Sequence, residues 1–144
     1  MVAINKACEE TIVDYLMAAI DPLQLTASYY TGIGNVDDLQ APAVIVSAND
    51  STEIYLNSNV WELFVNISVK EMAYDTDSGS LGKLAWNVQN CFWNPDRAMH
   101  LNKTGSWGFN TFQCQNLNTK HSVNEDILIN ELSLRIVGTI TGSI

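Results

Sequence analysis

The sequence predicts an α+β fold: a mainly antiparallel sheet with two helices packed on one face. Three observations carry this. Two segments, residues 2–20 and 81–93, repeat apolar residues every three or four positions, the period of a helix with one buried face. Several other segments alternate apolar and polar residues with period two, as half-buried strands do. The helical segments fall between groups of strands, in the order α-β-β-β-α-β-β, where a parallel sheet would alternate them one for one. At 144 residues and 47% hydrophobic, the chain is expected to form a single domain, 1–144, with a core of its own.

The first helix places Ile4, Ala7, Cys8, Ile12, Tyr15, Leu16 and Ala19 on one stripe and leaves Glu9, Glu10 and Asp14 largely off it. It ends at Asp21-Pro22, where proline removes a donor and blocks the next turn. LQLTASYY (23–30) alternates Leu23, Leu25, Ala27 and Tyr29. Turn-forming residues follow over 31–42, and Pro42 opens a short apolar strand, AVIVSA. The polar stretch 49–59 reads as a long hairpin arm or a mobile loop. VWELFVNISVKEMA (60–73) is the clearest strand. Trp61, Leu63, Val65, Ile67 and Val69 share one face, and Phe64 lies on the other with Glu62, Asn66, Ser68 and Lys70. Extended, it would reach on the order of 40 Å, about twice the common strand length. Pairing or packing across subunits is the expected reason.

Helix 81–93 starts from the polar run YDTDSGS and stops at Pro95. Residues 96–110 read as irregular, 111–117 as a strand and 118–126 as a polar link. The segment 127–137 alternates Leu128, Leu132, Leu134 and Ile136 with polar residues, and a short extended piece follows between Gly138 and Gly142.

The run from Asp75 invites comparison with a calcium loop, whose ligands fall at positions 1, 3, 5, 7, 9 and 12. Asp77 fits position 3, but position 12 is Trp86, which cannot supply the final carboxylate. Asp77, Ser78 or Ser80 as helix caps explain the same letters. His100 and His121 have no partner at metal spacing, and paired acids such as Glu9/Glu10 and Asp37/Asp38 read as solvated faces or turns. No nucleophile elbow or phosphate cradle is present. No metal, no cofactor and no catalytic residue is expected, so the protein is not expected to be an enzyme. A net charge of −9 with only seven basic residues argues against conventional nucleic-acid binding, which needs clustered Lys and Arg. The opening residues carry acids where a secretory signal needs a basic and apolar start. Expression in a reducing cytoplasm is therefore expected, away from membranes, with Cys8, Cys91 and Cys114 as buried free thiols.

The aromatic residues are the more informative set. Trp61 and Phe64 point to opposite sides of one strand, and Trp107 sits in a polar stretch. Such rings are enriched as anchors of protein–protein interfaces.

Taken together, the opening helix (2–20), the strand PAVIVSA, the long strand VWELFVNISV, the polar lead-in to LGKLAWNVQNCF and the closing strand LSLRIV resemble the tail terminator family of long-tailed bacteriophages, the lambda-type tail-end ring proteins. The likeness is one of element order and length, over nearly the whole chain. It implies a virion protein of the tail-neck region, assembled in the host cytoplasm. Such a protein forms a hexameric ring that ends growth of the tail tube, presents a surface for head joining and leaves an axial hole for DNA. Its partners would be further copies of itself, the tail tube protein and a head-tail connector or neck protein. DNA would only pass through. On this reading Trp61, Phe64 and Trp107 are candidates for the subunit interface, and Glu53, Tyr55 and Leu56 for contact with the tail or neck. Asp50, Asp75 and Asp77 are candidates for an acidic channel lining that repels phosphates. A head-tail connector, a tail tube subunit, or a small cytoplasmic enzyme or ligand-binding domain are the alternatives.

Overall fold

The computed structural model describes residues 2–20, 28–32, 42–54, 58–72, 83–93, 107–124 and 126–142. Seven elements follow one another: α1 (Val2–Ile20), β1 (Ser28–Thr31), β2 (Ala43–Glu53), β3 (Val60–Met72), α2 (Lys83–Trp93), β4 (Trp107–Asn124) and β5 (Ile127–Gly142). The α+β class and the order of elements are those predicted from the sequence. The strands form one five-stranded sheet in the order β1-β2-β3-β5-β4. Among the described residues only the β1–β2 pairing is parallel; the others are antiparallel.

β3 is the centre of this sheet. It pairs with β2 from Trp61 to Lys70 and with β5 along its whole length, from Val60↔Thr139 to Met72↔Ile127. Its length is therefore accounted for inside the chain, and so is that of β5, which lies between β3 and β4. Of the expected pairing or packing of β3 across subunits, this topology overturns the pairing, for β3 and for β5 alike, since neither has a free edge; packing would run through a face.

Period-two alternation divides the sheet into two faces. On the inner face Val44, Val46, Leu63, Val65, Ile67, Leu132, Leu134 and Ile136 are buried and form one cluster with Ile4, Cys8, Ile12 and Leu16 of α1 and Leu84, Val88 and Phe92 of α2. Both helices thus cover the same face. They are also tied to each other: Tyr15 Oη donates to the Cys91 carbonyl at 3.0 Å, and the Tyr15 and Phe92 rings meet edge-on with centroids 5.9 Å apart. The bond to Cys91 satisfies a carbonyl that the end of a helix leaves without an intrahelical donor.

Three strands exceed their predicted bounds, β5 by running unbroken through Gly138 to Gly142. β2 continues through Asn49–Glu53, so the first part of the stretch 49–59 is a hairpin arm. β4 takes in residues 107–110, predicted irregular, and residues 118–124, predicted as a polar link. His121 consequently lies within a strand, in register with Asn130. Polar residues are held extended here because β5 offers a continuous ladder, which outweighs their low intrinsic preference for strands. Residues 23–27 of the first predicted strand lie outside the described residues.

Leu134 is fully buried in β5, midway across the inner face. Leu134→Ala is expected to cost about 2–5 kcal/mol through the cavity it leaves. A urea titration reads this as a lower midpoint with an unchanged slope.

Candidate interaction surface

The outer face of the sheet carries two of the candidate residues, Asp50 and Phe64. In register across four strands lie Asp50, Phe64, Arg135 and Gln115. Phe64 is 40% exposed, and Asp50 and Gln115 are exposed beside it. One step along, Glu62 receives Arg135, whose Nε and Nη2 both lie 2.6 Å from Glu62 Oε2. Asn66 follows on the other side, its Oδ1 accepting from Ser133 Oγ at 3.0 Å. The result is a ring standing among charged and amide side chains, in contact with water. Toward β1 the same face closes: Ala43, Ile45, Ser68 and Lys70 are all buried. The open part is thus the β5–β4 half together with Phe64 and Asp50.

A bulge decides which acid reaches this face. The pairing of β2 with β3 shifts between Ala48 and Asp50, so that Asn49 is the extra residue. Ser47 Oγ donates to Asn49 Oδ1 at 2.9 Å across it. Past the bulge Asp50 and Thr52 share the outer face with Phe64 and Glu62, while Glu53 falls opposite Trp61. Bulges of this kind re-aim side chains and increase local twist.

Trp61 serves the hairpin. It is half-buried against the core, and its Nε1 donates to Asn59 Oδ1 at 3.1 Å. Asn59 itself has a φ of 58°, a left-handed conformation that asparagine tolerates better than most residues. Its N–H donates to Glu53 Oε2 at 3.1 Å, and Ile54 N–H closes the turn on the Val60 carbonyl at 2.8 Å. Glu53 and Trp61 therefore build the turn that would present Tyr55 and Leu56, which lie outside the described residues. Asp75 and Asp77 lie outside them too. Trp107 starts β4, opposite Gly142.

Two acids, Glu9 and Glu71, hold backbone groups distant in sequence. Glu9, predicted to be solvated, is buried at 6% exposure. Its Oε2 accepts the N–H groups of Ala48 at 2.9 Å and Gly32 at 3.1 Å. Glu71, at the end of β3, accepts Leu84 N–H at 2.8 Å and Ala85 N–H at 3.1 Å. It thereby neutralises the positive end of α2, a task assigned from the sequence to Asp77, Ser78 or Ser80, which lie outside the described residues. A carboxylate that caps a helix from a distant strand leaves no local signature; only its place on the inward row of β3 hints at a buried role.

Among the described residues no group of three or more His, Cys, Asp or Glu could hold a metal. No described helix is long and apolar enough to cross a membrane. The cysteines are free, with Cys8 and Cys91 buried and Cys114 half-buried. Burial pushes the Cys8 thiol far above the usual range, helped by the neighbouring Glu9 and Cys114, and burial alone pushes Cys114 up to about 11. Thiols held protonated in this way are poor nucleophiles.

No known protein family matches the chain, and no curated protein matches it. Among solved structures, a chain in the virion of a native gene transfer agent particle is similar to it in fold, with a TM-score of 0.48 and 11% sequence identity over 93% of this chain and 96% of that one. So distant a likeness carries no inference about assembly or activity.

Iodoacetamide at pH 8 is expected to leave Cys8 and Cys114 unlabelled in the native protein and to label both in denaturant, read by intact mass. Because their raised thiol pKa values mean the folded state holds these protons longer, the same two groups should lower stability as pH climbs above about 9, by up to ~1.4 kcal/mol per pH unit per thiol.

Proposed function

We propose that the protein is a structural component of a phage-like virion, a ring-forming tail terminator at the head-proximal end of the tail, without catalysis. The observation that carries the reading is the partly open outer face, where Phe64 stays 40% exposed between Asp50 and Arg135 although the inner face alone supplies the core. An aromatic ring framed by charges is the composition of an interface anchor with a polar rim. Of the segments that carry the family resemblance, the opening helix, AVIVSA, VWELFVNISV and LSLRIV lie in α1, β2, β3 and β5, and KLAWNVQNCF in α2.

Subunits would meet through this face and through the sheet edge at β4, in place of backbone pairing by the interior strands β3 and β5. A closed ring gives every copy the same neighbours and leaves no growing end. The hairpin tip between β2 and β3 is the proposed contact with the tail tube or neck. With a net charge of −9, a channel lined by acids such as Asp50 would let DNA pass without adsorbing, since phosphates are repelled and no counterions are released. A tube subunit would polymerise where a terminator stops at one ring.

Size exclusion with light scattering across concentrations is expected to show a discrete oligomer. Phe64→Asp is expected to dissociate it while changing folding stability by no more than about 0.5 kcal/mol, as for a surface site. Particles made without the protein should have tails of irregular length that do not join heads. Tails of normal, uniform length still competent to join heads would remove the terminator assignment.

A further inference from the structure

β1 is the shortest strand of the sheet and pairs over four residues only, Ser28–Thr31 against Ala43–Val46. Its pairing begins where Ser28 N–H donates to the Pro42 carbonyl at 3.2 Å and ends where Gly32 N–H donates to the Val46 carbonyl at 3.0 Å. The next bond of a parallel ladder would run from Ala48 N–H to the Gly32 carbonyl. Ala48 N–H donates to Glu9 Oε2 at 2.9 Å, and the same oxygen takes Gly32 N–H at 3.1 Å. The carboxylate thus stands at the point where β1 leaves β2, bridging both strands from α1. Gly32 has a φ of +90°, with open space around it, so the chain turns away there in a conformation that suits glycine.

We propose that β1 is a detachable strap and that Glu9 is its latch. Ser28, Tyr30 and Thr31 are exposed, and Tyr29 alone packs against the core. Release of β1 therefore gives up the packing of one side chain, Tyr29, and leaves the inner face between β2, β3, β5 and the helices in place. Segments with few buried contacts and exposed backbone bonds open at a small fraction of the global free energy. What holds β1 besides Tyr29 is backbone bonding, reinforced at its end by the charge-assisted bond from Gly32 N–H to Glu9, which Ala48 N–H anchors to β2. Opening uncovers the edge of β2 over Ala43–Val46, an apolar run able to accept another extended strand. The device stands independently of the ring.

Amide hydrogen exchange tests it. In the unaltered protein the amides of Ser28, Tyr30 and Gly32 are expected to exchange at least tenfold faster than those of β3 and β5. Glu9→Gln keeps the size and one acceptor but removes the charge. It is expected to speed exchange at these three amides by roughly another tenfold, as loss of a charge-assisted bond implies, with β3 and β5 unchanged. Exchange of β1 at the rate of β3 in the unaltered protein overturns the strap. Equal acceleration everywhere in Glu9→Gln, or none at β1, overturns the latch. Should Glu9→Gln fail to fold, the unaltered protein alone decides whether β1 detaches.

Discussion

The alternation of side chains along β3 is the constraint from which the rest of the molecule follows. A strand of thirteen residues with Leu63, Val65, Ile67 and Val69 on one side can bury that row only if something apolar covers it along its length. α1 and α2 together do so, and neither is long enough alone. Because β3 is also flanked on both sides, its register sets the register of β2 and β5, and a slip of one residue would send each inward row to the solvent face. Its two ends extend this control. Met72 and Glu71 lie at the approach to α2, whose first amides Glu71 holds, and Trp61 fixes the turn at the opposite end.

Where the sequence is periodic, it is a faithful guide. The bounds of α1 and the face assignment of β3 are legible residue by residue, because burial of a stripe or a row leaves a pattern within one segment. β4 is the counterexample. Asn118, Lys120, His121 and Ser122 carry no strand signal of their own, and they are extended because β5 lies beside them. The position of β3 at the centre of the sheet was equally hidden. A strand buried on one face reads the same whether its edges are paired within the chain or free, since backbone bonds leave no mark on side-chain choice. Phe64 shows what remains readable at the surface: period two alone places it outside, and the structure finds it there. Glu9 reads as solvated, and Glu71 carries no signal, because each serves backbone groups far away in sequence, 39 and 14 residues respectively at their most distant.

The two sides of the sheet are therefore unlike in kind. The inner one is a closed apolar core with thiols kept protonated inside it. The outer one is mixed, with a paired Glu62 and Arg135, exposed amides and one aromatic ring. The edges are managed as well. β4 carries shifts in register at two places, between Thr111 and Gln113 and between Asn116 and Asn118, and Leu117 stands exposed at the second. Irregular edges resist indiscriminate strand-to-strand growth, so contacts at β4 favour a partner whose shape matches the irregularity.

The extra residue at Asn49 has a bearing on how this chain can change over time. Losing that one position would leave Asp50 opposite Phe64 and Glu53 opposite Trp61, because the residues beyond it are already in register with β3. Lineages can therefore shed this residue without turning a side chain over, whereas a single loss within Asp50–Glu53 would carry the residues beyond it to the opposite face.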